Sequence, residues 1–244
     1  MSFRITGIIQ ARMGSSRLPG KVLLPLAGRS VLGWVVRAAR ESRVLDDLVV
    51  ATTREPADDA VVAECERLGV AWHRGPVDDV LSRFLGALSQ RPADAIARFT
   101  ADCPLLDPAL ISAAAGTFRA TPGLDYLGTM LPRTLPRGMD VEIVGTAALR
   151  RAGALARDHH RAHVTSYVYT RPETFRVMGL TFPPATEHLR VTLDTEQDWA
   201  AITAIVAALG DAPASLRTLT GWLDAHPEVR ALNEDVAQKV LEEA

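Results

Sequence analysis

A glycine- and serine-rich loop with spaced cations follows the first apolar segment of the chain. It reads Gln10-Ala-Arg-Met-Gly-Ser-Ser-Arg-Leu-Pro-Gly-Lys21. Glycine lets backbone N–H groups come close to phosphate oxygens, while arginine and lysine neutralise the phosphate charge. The spacing matches neither a Walker A loop nor Gly-x-Gly-x-x-Gly, and a basic surface turn is the alternative interpretation. The loop predicts a polyphosphate site with Arg12, Arg17 and Lys21 as its cations.

Two aspartates follow apolar segments further along the chain. Asp102 comes after Ala95–Thr100, and Asp194 comes after Leu189–Leu193. We predict that both segments are strands, whose carboxyl ends would then lie on the same side of the sheet as the loop. The alternative for an aspartate after a strand is a turn or a helix cap, and a cap is our prediction for Asp107.

Charged residues of both signs occur together in a Pro- and Arg-rich stretch. Arg133 and Arg137 could bind a carboxylate or a phosphate of a small substrate. If Met139–Val144 is a strand, Asp140 and Glu142 share one face of it and could accept hydrogen bonds from sugar hydroxyls. A solvated hairpin is the alternative interpretation.

The remaining reactive side chains give weaker signals. The three histidines His159, His160 and His163 have no fourth ligand at a spacing that suits zinc, so we predict no zinc site. Cys103 is predicted to be structural. The tryptophans are spread along the sequence and are predicted to be core residues rather than a stacking platform for bases: Trp34, Trp72, Trp199 and Trp222.

The composition excludes several classes of protein. The 244 residues are 48% hydrophobic and 23% charged, which argues against disorder, collagen and coiled coil. Two cysteines give no disulfide framework and fit a reducing cytoplasm. No apolar run approaches the roughly 20 residues of a membrane span, and the first residues lack the order of a signal peptide.

The charge is distributed unevenly although its sum is only −2. Residues 1–40 carry seven of the 27 Lys and Arg residues and none of the 29 Asp and Glu residues. Local positive charge on a chain that is acidic as a whole disfavours a general nucleic-acid binder. It is typical of a site for a small polyanion.

Strands and helices alternate in the first half of the chain, which predicts an α/β protein with helices on both faces of a mostly parallel sheet. The predicted strands are Ile5–Gln10, Leu48–Thr52, Val70–His73 and Ala95–Thr100. The predicted helices are Val31–Arg40 (capped by Ser30), Pro56–Leu68, Val77–Ser89 and Pro108–Arg119.

The second half is less regular. Predicted strands are Tyr126–Met130, Met139–Val144, Phe175–Phe182 at an edge, and Leu189–Leu193; predicted helices are Thr146–Ala156, Ala162–Tyr169, Glu196–Leu209 and the acidic C-terminal stretch. We expect Gly210 to end the helix Glu196–Leu209 and Asp198 to lie exposed on it. No linker is evident, so we predict one domain over residues 1–244 with an inserted subregion at about 129–182.

Seven blocks of the sequence, in order, resemble the cytidylyltransferase family, which includes CMP-Kdo synthetase and acylneuraminate cytidylyltransferase. The nearest likeness is to the branch called spore coat polysaccharide biosynthesis protein F. The first block is the long Ile8-Ile-Gln-Ala-Arg-Met-Gly-Ser-Ser-Arg-Leu-Pro-Gly-Lys-Val-Leu, and the resemblance extends over about residues 3–205. The other blocks are Ala51-Thr-Thr, Arg74-Gly-Pro-Val-Asp-Asp-Val-Leu-Ser-Arg-Phe, Arg98-Phe-Thr-Ala-Asp-Cys-Pro-Leu-Leu-Asp-Pro, Pro136-Arg-Gly-Met-Asp-Val-Glu, His163-Val-Thr and Leu189-Arg-Val-Thr-Leu-Asp-Thr-Glu-Gln-Asp.

The resemblance implies a three-layer, Rossmann-like nucleotide-diphospho-sugar transferase fold. It also implies a reaction in which an acceptor oxygen attacks the α-phosphorus of CTP and pyrophosphate leaves. Asp102 and Asp194 match the two metal-binding aspartates of the family, which implies Mg²⁺ as cofactor. Arg12, Lys21 and Asp102 are the implied catalytic residues.

The resemblance also implies binding roles for other residues. The nucleotide set is Gln10, Ala11, Arg12, Gly14, Ser15, Ser16, Arg17, Lys21, Thr52, Thr53, Arg74, Gly75 and Asp79. The acceptor set is Arg133, Arg137, Asp140, Glu142 and His163. The family more often has Arg-Glu-His-Val-Thr where this chain has Arg161-Ala-His-Val-Thr, which puts the role of that block in doubt.

Two other functions stay open at this point. A glycosyltransferase that uses a nucleotide-sugar is one, although Thr100-Ala-Asp-Cys-Pro lacks the usual Asp-x-Asp pair. A non-catalytic nucleotide-binding subunit is the other. The expected partners are CTP and a small acceptor, without nucleic acid or membrane, and the family implies a homodimer formed through residues 129–182.

Overall fold

The computed structural model describes residues 3–238 and contains a seven-stranded sheet beside a two-stranded ribbon. The ribbon consists of β2 (Pro25–Leu26) and β3 (Arg29–Ser30). The strands of the main sheet are β1 (Ile5–Gln10), β4 (Asp47–Thr53), β5 (Ala71–Gly75), β6 (Ala95–Thr100), β7 (Tyr126–Gly128), β8 (Glu142–Gly145) and β9 (Val177–Gly179).

Helices connect these strands and cover both faces of the sheet. They are α1 (Val31–Glu41), α2 (Asp59–Arg67), α3 (Val80–Gln90), α4 (Pro108–Ala120), α5 (Thr146–Leu155), α6 (His159–Ala162), α7 (Ser166–Tyr169), α8 (Glu196–Leu209), α9 (Leu216–Ala225) and α10 (Pro227–Arg230). Single 3₁₀ turns lie at Lys21–Leu23 and Pro56–Asp58. None of the helices in residues 3–238 is long and apolar enough to cross a membrane.

The strand order of the main sheet is β5-β4-β1-β6-β8-β7-β9. The pairs β5·β4, β4·β1, β1·β6 and β7·β9 are parallel, whereas β8 runs antiparallel to both β6 and β7. The predicted mixed, mostly parallel α/β sheet is therefore confirmed. The predicted edge strand is also found, since β9 ends the sheet.

Two buried clusters lie on opposite faces of the sheet, because successive side chains of a strand point to opposite faces. Ile9 of β1 packs in a cluster with residues of α1, α4 and α8, whereas Ile8 packs in a cluster with residues of α3 and α5. The result is three layers, with helices above and below the sheet.

Helix starts follow local capping chemistry. The Ser30 hydroxyl accepts a hydrogen bond from the backbone N–H of Gly33 at 2.9 Å, and the Asp107 carboxylate accepts one from Ala109 at 2.8 Å. Both predicted caps are confirmed. The predicted bounds of Ile5–Gln10 are also those of the structure.

Two predicted elements were wrong in type or extent. Leu189–Leu193 forms no strand. Its backbone contacts include an isolated bridge between Arg137 and Arg190 and a bond from Leu193 N–H to the carbonyl of Asp102. An apolar run indicates burial, and this segment is buried between loops instead of beside a strand. The predicted helix Ala162–Tyr169 is interrupted, because Val164 adopts a positive φ of 47° between α6 and α7.

Two predictions of exposure were wrong, and one predicted helix lies partly beyond the described chain. Asp198 is fully buried in the first turn of α8, where it bonds backbone and side-chain donors, and Trp72 is 40% exposed on β5 instead of packing in the core. At the C-terminus, α10 ends at Arg230, and residues 231–238 form no helix. The rest of the predicted acidic helix, 239–244, lies outside the described residues.

Candidate active site

A cavity of about 870 Å³ opens at the carboxyl ends of β1 and β6. This volume is in the range of small-ligand sites. Among the described residues, its lining carries seven Arg and Lys side chains and five Asp side chains, an excess that favours an anion. Fourteen of the predicted site residues line it: Gln10, Ala11, Arg12, Gly14, Ser15, Ser16, Arg17, Lys21, Asp102, Arg133, Arg137, Asp140, His163 and Asp194.

The loop after β1 is held by hydrogen bonds to the end of β4 and the turn that follows it. The Met13 N–H donates to Asp58 Oδ1 at 2.6 Å, and Asp58 also accepts from the hydroxyl of Thr53. Gly20 adopts a φ of 74° and its N–H donates to the Met13 carbonyl at 3.0 Å, which closes the loop before Lys21. Thr53 therefore supports the loop from below and does not line the cavity.

The Lys21 ammonium lies between the two predicted metal-binding aspartates. Its Nζ is 2.7 Å from Asp102 Oδ2, 2.8 Å from Asp194 Oδ1 and 2.7 Å from the carbonyl oxygen of Leu193. Burial alone would lower the pKa of Lys21, but the charges of Asp102 and Asp194 outweigh it and raise the pKa. The loop and the two strand-end carboxylates thus form one charged cluster.

Asp194 is contacted by two further cations. Arg17 Nη2 and Arg190 Nη2 each lie 2.9 Å from Asp194 Oδ2. Although burial opposes the charged form, Lys21, Arg17 and Arg190 together lower the pKa of Asp194. The carboxylate is therefore charged at neutral pH.

Arg190 and Asp198 are supporting residues that the sequence analysis missed. Arg190 Nε lies 2.8 Å from Asp198 Oδ1, and the other Asp198 oxygen accepts the Asp194 N–H at 2.9 Å. Asn233 also donates to Asp198 Oδ1, at 2.8 Å. The spacing of four residues between Asp194 and Asp198 is the signal that could have revealed this pairing, because it puts the second carboxylate in the first turn of α8.

Asp102 and Asp194 are the residues that could hold a metal ion. Both carboxylates already converge on one cation, the Lys21 ammonium, so their donor set suits a positive charge. No group of three or more His, Cys, Asp or Glu residues in the described part of the chain could hold a metal. Two carboxylates completed by water and phosphate oxygens fit Mg²⁺, which is rarely caged by protein ligands alone.

On the side of the cavity formed by the inserted segment, Arg133 and Asp140 form a two-point ion pair. Their N···O distances are 2.6 and 3.1 Å. Burial raises the pKa of Asp140 even though Arg133 opposes the shift. The Arg137 side chain also lines the cavity and has no hydrogen bond or ion pair among the described residues.

Glu142 lies beneath the cavity and does not line it. It is 2% exposed and pairs with Arg98, with the Tyr126 hydroxyl at 2.9 Å and with the hydroxyl of Thr165. Arg98 also donates to Gln10 Oε1 at 3.0 Å. The strand begins only at Glu142, so Asp140 lies before it and the two acids bind different arginines instead of forming one polar face.

Four other predicted nucleotide residues lie around α2 and α3 and do not line the cavity. Thr52 is buried, and its hydroxyl has no partner among the described residues. Arg74 donates to the Thr53 carbonyl at 2.7 Å and holds the turn after β4. Gly75 ends β5. Asp79 caps α3 by accepting the Ser82 N–H at 2.9 Å and also pairs with Arg161.

Arg83 lines the cavity, although no role was predicted for it from the sequence. It belongs to the block that begins at Arg74, but helical spacing alone gives no sign that its guanidinium is buried. It lines the cavity and is 2% exposed, and its Nε and Nη1 have no hydrogen-bond partner in the described part of the chain. Arg12, whose side chain has no ion pair there either, is a cation whose repulsion lowers the pKa of Arg83.

The neighbouring histidines lie in different surroundings, and Cys103 is buried. His159 and His163 line the cavity, whereas His160 Nδ1 lies 2.8 Å from the Ser166 hydroxyl. Burial raises the pKa of Cys103 well above its ordinary value, and the neighbouring Asp102 adds to the shift. A thiol that stays protonated is a poor nucleophile.

Comparisons with known proteins agree with this geometry. The family model described as cytidylyltransferase matches residues 6–180. The chain belongs to the cytidylyltransferase family. The spore coat polysaccharide biosynthesis protein SpsF of Bacillus subtilis is 34% identical over 237 residues, which are 93% of this chain and 97% of that protein.

Two further relatives extend the comparison. A 3-deoxy-manno-octulosonate cytidylyltransferase of Anaeromyxobacter dehalogenans is 33% identical over 192 residues, which are 70% of this chain and 76% of that protein. A cytidylyltransferase structure from Leptospira borgpetersenii superposes with a TM-score of 0.91 at 28% identity and covers 98% of this chain and 100% of that one. The fold of this chain is thus that of a solved cytidylyltransferase over nearly its whole length.

Proposed function

We propose that this cytidylyltransferase transfers CMP from CTP to a sugar acid or a related small acceptor and releases pyrophosphate. The observation that carries the proposal is the cluster of Lys21, Asp102 and Asp194 beside the glycine-rich loop. Cations for a triphosphate and carboxylates for a metal meet there in one cavity, and a separate charged surface, Arg133 with Asp140, faces the same space.

The reaction we propose is a single displacement at phosphorus. Arg12, Arg17 and Lys21 bind the triphosphate, and an acceptor hydroxyl passes its proton to solvent water as its oxygen bonds to the α-phosphorus. The bond from the α-phosphorus to the oxygen shared with the β-phosphate breaks, and pyrophosphate leaves. Positioning and charge neutralisation supply the rate, so no covalent enzyme intermediate is needed.

Asp102 and Asp194 would hold Mg²⁺ as the cofactor. The ion would offset negative charge on the α-phosphate and on the leaving pyrophosphate. Lys21 must then exchange its carboxylate partners for phosphate oxygens, because its ammonium now lies between both carboxylates.

The acceptor would bind on the side of the inserted segment. Arg137 has no side-chain partner among the described residues, so it is suited to a carboxylate or phosphate of the acceptor. Asp140, exposed to the cavity and fixed by Arg133, would accept hydrogen bonds from sugar hydroxyls. The names of the relatives support an acceptor for polysaccharide or glycoconjugate synthesis.

We also propose that two copies of the chain form a homodimer through residues 129–182 and that the enzyme works in the cytoplasm. The family resemblance supports both proposals. Light scattering coupled to size-exclusion chromatography of the full chain tests the first, and a monomeric mass at assay concentration would contradict it.

A pyrophosphate-release screen tests the proposed reaction. Each nucleoside triphosphate is incubated with Mg²⁺ and with sugar acids, phosphosugars, and amino or phosphonate acceptors in turn. We expect release only with CTP and the right acceptor. Lys21→Met should lower the rate by at least about 100-fold because it removes a cation from the developing phosphate charge.

Arg29→Met is the matched control for Lys21→Met. Arg29 lies in the same basic segment but pairs at the surface with Asp211, 3.5 Å away, and does not line the cavity. Its rate should equal that of the wild type. Cleavage of a nucleotide-sugar without use of free CTP would support a glycosyltransferase instead, and tight CTP binding without turnover would support a non-catalytic subunit.

A further inference from the structure

Arg83 combines burial, positive charge and missing hydrogen bonds at the edge of the cavity. Its Nε and Nη1 are shielded from solvent and have no partner among the described residues. Buried polar groups in folded proteins are nearly always hydrogen-bonded, and an unmet charged donor is costly. Such a group is retained most readily where a ligand supplies the missing acceptors.

The backbone around Arg83 is shaped to admit its side chain. A Cβ on Gly75 would lie 2.5 Å from Arg83 Cγ, closer than side-chain atoms can approach, so only glycine leaves the stem enough room. Gly75 ends β5, and Arg83 lies one turn into α3. The strand end and the helix thus hold the guanidinium at the border of the cavity.

The charges near Arg83 leave it without a dedicated carboxylate. Asp79 and Asp58 attract it, but Asp79 pairs with Arg161 and Asp58 bonds Thr53 and the Met13 N–H. Burial lowers the pKa of Arg83 to about 10, with Arg12 adding to the effect, so the side chain stays charged at neutral pH.

The surroundings of Arg83 distinguish a nucleobase from a phosphate. Lys21 and Arg17, which contact Asp194, form the phosphate-binding part of the cavity together with the loop. Near Arg83 the lining includes the apolar side chains of Val77 and Val80 at the start of α3. Apolar side chains that border a donor group suit the flat face and the polar edge of a base.

A guanidinium has only donors, arranged as a planar fork. Cytosine presents two adjacent acceptors, N3 and O2, whereas uracil carries a hydrogen on N3 that faces a donor unfavourably. A fork of N–H groups therefore matches cytosine and rejects uracil, as arginine does with adjacent acceptors on base edges.

We propose that Arg83 is the specificity residue that reads the pyrimidine edge and selects cytosine over uracil. The proposal rests on the proposed function, since it requires that the cavity bind a nucleotide. Gly75 is the position that makes this placement of the Arg83 side chain possible.

Isothermal titration of the full-length protein with CTP, UTP and inorganic tripolyphosphate, each with Mg²⁺, tests the proposal. The variant is Arg83→Met, which keeps the stem and removes the donors. We expect CTP affinity to fall about 10- to 100-fold while UTP and tripolyphosphate affinities stay within about twofold. The preference of the protein for CTP over UTP should largely disappear.

Arg91→Met is the matched control, because Arg91 follows the other end of α3 and pairs with Asp47 away from the cavity. It should bind all three ligands like the wild type. Equal losses for all three ligands in Arg83→Met would overturn the proposal in favour of a phosphate contact, and unchanged CTP affinity would overturn it in favour of a structural role.

The wild-type titration separates this proposal from the proposed function. If the wild type binds CTP and Arg83→Met binds it equally well, only the role of Arg83 fails. If the wild type binds no nucleotide, the proposed function fails and the role of Arg83 fails with it. Thermal melting of Arg83→Met, without ligand, shows whether the variant is folded.

Discussion

The fold treats two kinds of cation, in and beside the cavity, in opposite ways. Lys21, Arg17 and Arg190 all contact Asp194, and Lys21 also contacts Asp102, so these charges are neutralised before any ligand binds. In the described part of the chain, two nitrogens of Arg83 have no hydrogen-bond partner. Lys21, Arg17 and Arg190, with the two aspartates, are called the paired cluster below.

The difference separates two ways of using positive charge. In the paired cluster, a nucleotide and a metal must displace internal partners, so binding there is an exchange. At Arg83, a ligand adds bonds that the folded protein lacks. Removing a residue of the paired cluster should therefore cost stability and rate, whereas removing the donors of Arg83 should cost only recognition.

Asp102→Asn gives the largest expected effect on the paired cluster. It removes one of the two carboxylates that would hold the metal, so kcat for pyrophosphate release should fall by about 1,000-fold, or about 4 kcal/mol in activation free energy. Steady-state assays at saturating CTP and acceptor measure the change.

Asp107→Asn is the control for this variant, because Asp107 lies in the same loop but caps α4 and bonds the N–H of Leu216 at 2.7 Å. Its kcat should be within about twofold of the wild type. The loss of stability should be about 1 kcal/mol, because asparagine keeps the cap but loses the acceptor for the Leu216 N–H. Normal turnover by Asp102→Asn would remove Asp102 from the metal site.

Arg190→Met should produce the largest loss of stability. The Arg190 side chain is 7% exposed and pairs with both Asp194 and Asp198, so its removal takes a cation away from two largely buried carboxylates. We expect the free energy of unfolding to fall by about 3 kcal/mol, or roughly 10 °C in Tm. Urea denaturation and thermal melting of the ligand-free protein measure both.

Arg83→Met sharpens the contrast with Arg190→Met. Because Nε and Nη1 of Arg83 have no hydrogen-bond partner among residues 3–238, its loss should leave Tm unchanged or raise it by a few degrees. A drop as large as that of Arg190→Met would show that the two groups of cations do not differ as described.

Asp79→Asn should have the smallest effect. Burial opposes ionisation of Asp79, but Arg161 and the Ser82 N–H outweigh it and lower its pKa. An aspartate in the unfolded chain has a pKa of about 4, so the lowered pKa of Asp79 stabilises the folded protein fully above about that pH. This contribution to the free energy of unfolding is lost as the pH falls through the folded-state pKa. We expect the variant to lose about 0.5 kcal/mol at pH 7, because it loses the charge that pairs with Arg161 in a partly exposed ion pair.

The pH series checks the sign of this prediction. The free energies of unfolding of the wild type and of Asp79→Asn should converge as the pH falls below about 4. A difference that grows in acid would show that the carboxylate is stabilised in its protonated form instead. Glu187→Gln, at an exposed position outside the cavity, is a comparison for the general effect of removing an acid.

The sequence predicted best those parts whose signals are local. β1 and α8 have the predicted bounds because apolar runs and caps are short-range patterns. Leu189–Leu193 was mistaken for a strand because apolar residues indicate that a segment is buried. They do not indicate whether its backbone hydrogen-bonds to a neighbouring strand or to loops. Asp198 was mistaken for a surface residue because its partners, Arg190 and Asn233, come from separate segments.

The same distinction holds for the site. The loop and its cations follow from the spacing of residues 10–21, and most of them do line the cavity. The sequence could not reveal that Lys21 lies between two aspartates more than 80 and 170 positions away. It could not reveal Arg83 either, because a missing hydrogen bond depends on what every neighbouring segment fails to supply.

The close approach of Gly75 and Arg83 restricts which residues can occur together at these two positions in related proteins. A relative that carries any larger residue at the position of Gly75 must shorten or redirect the side chain at the position of Arg83, since the two cannot share the space. The pair should therefore change together between lineages. Lineages that have exchanged both residues are the place to look for an altered choice of nucleotide.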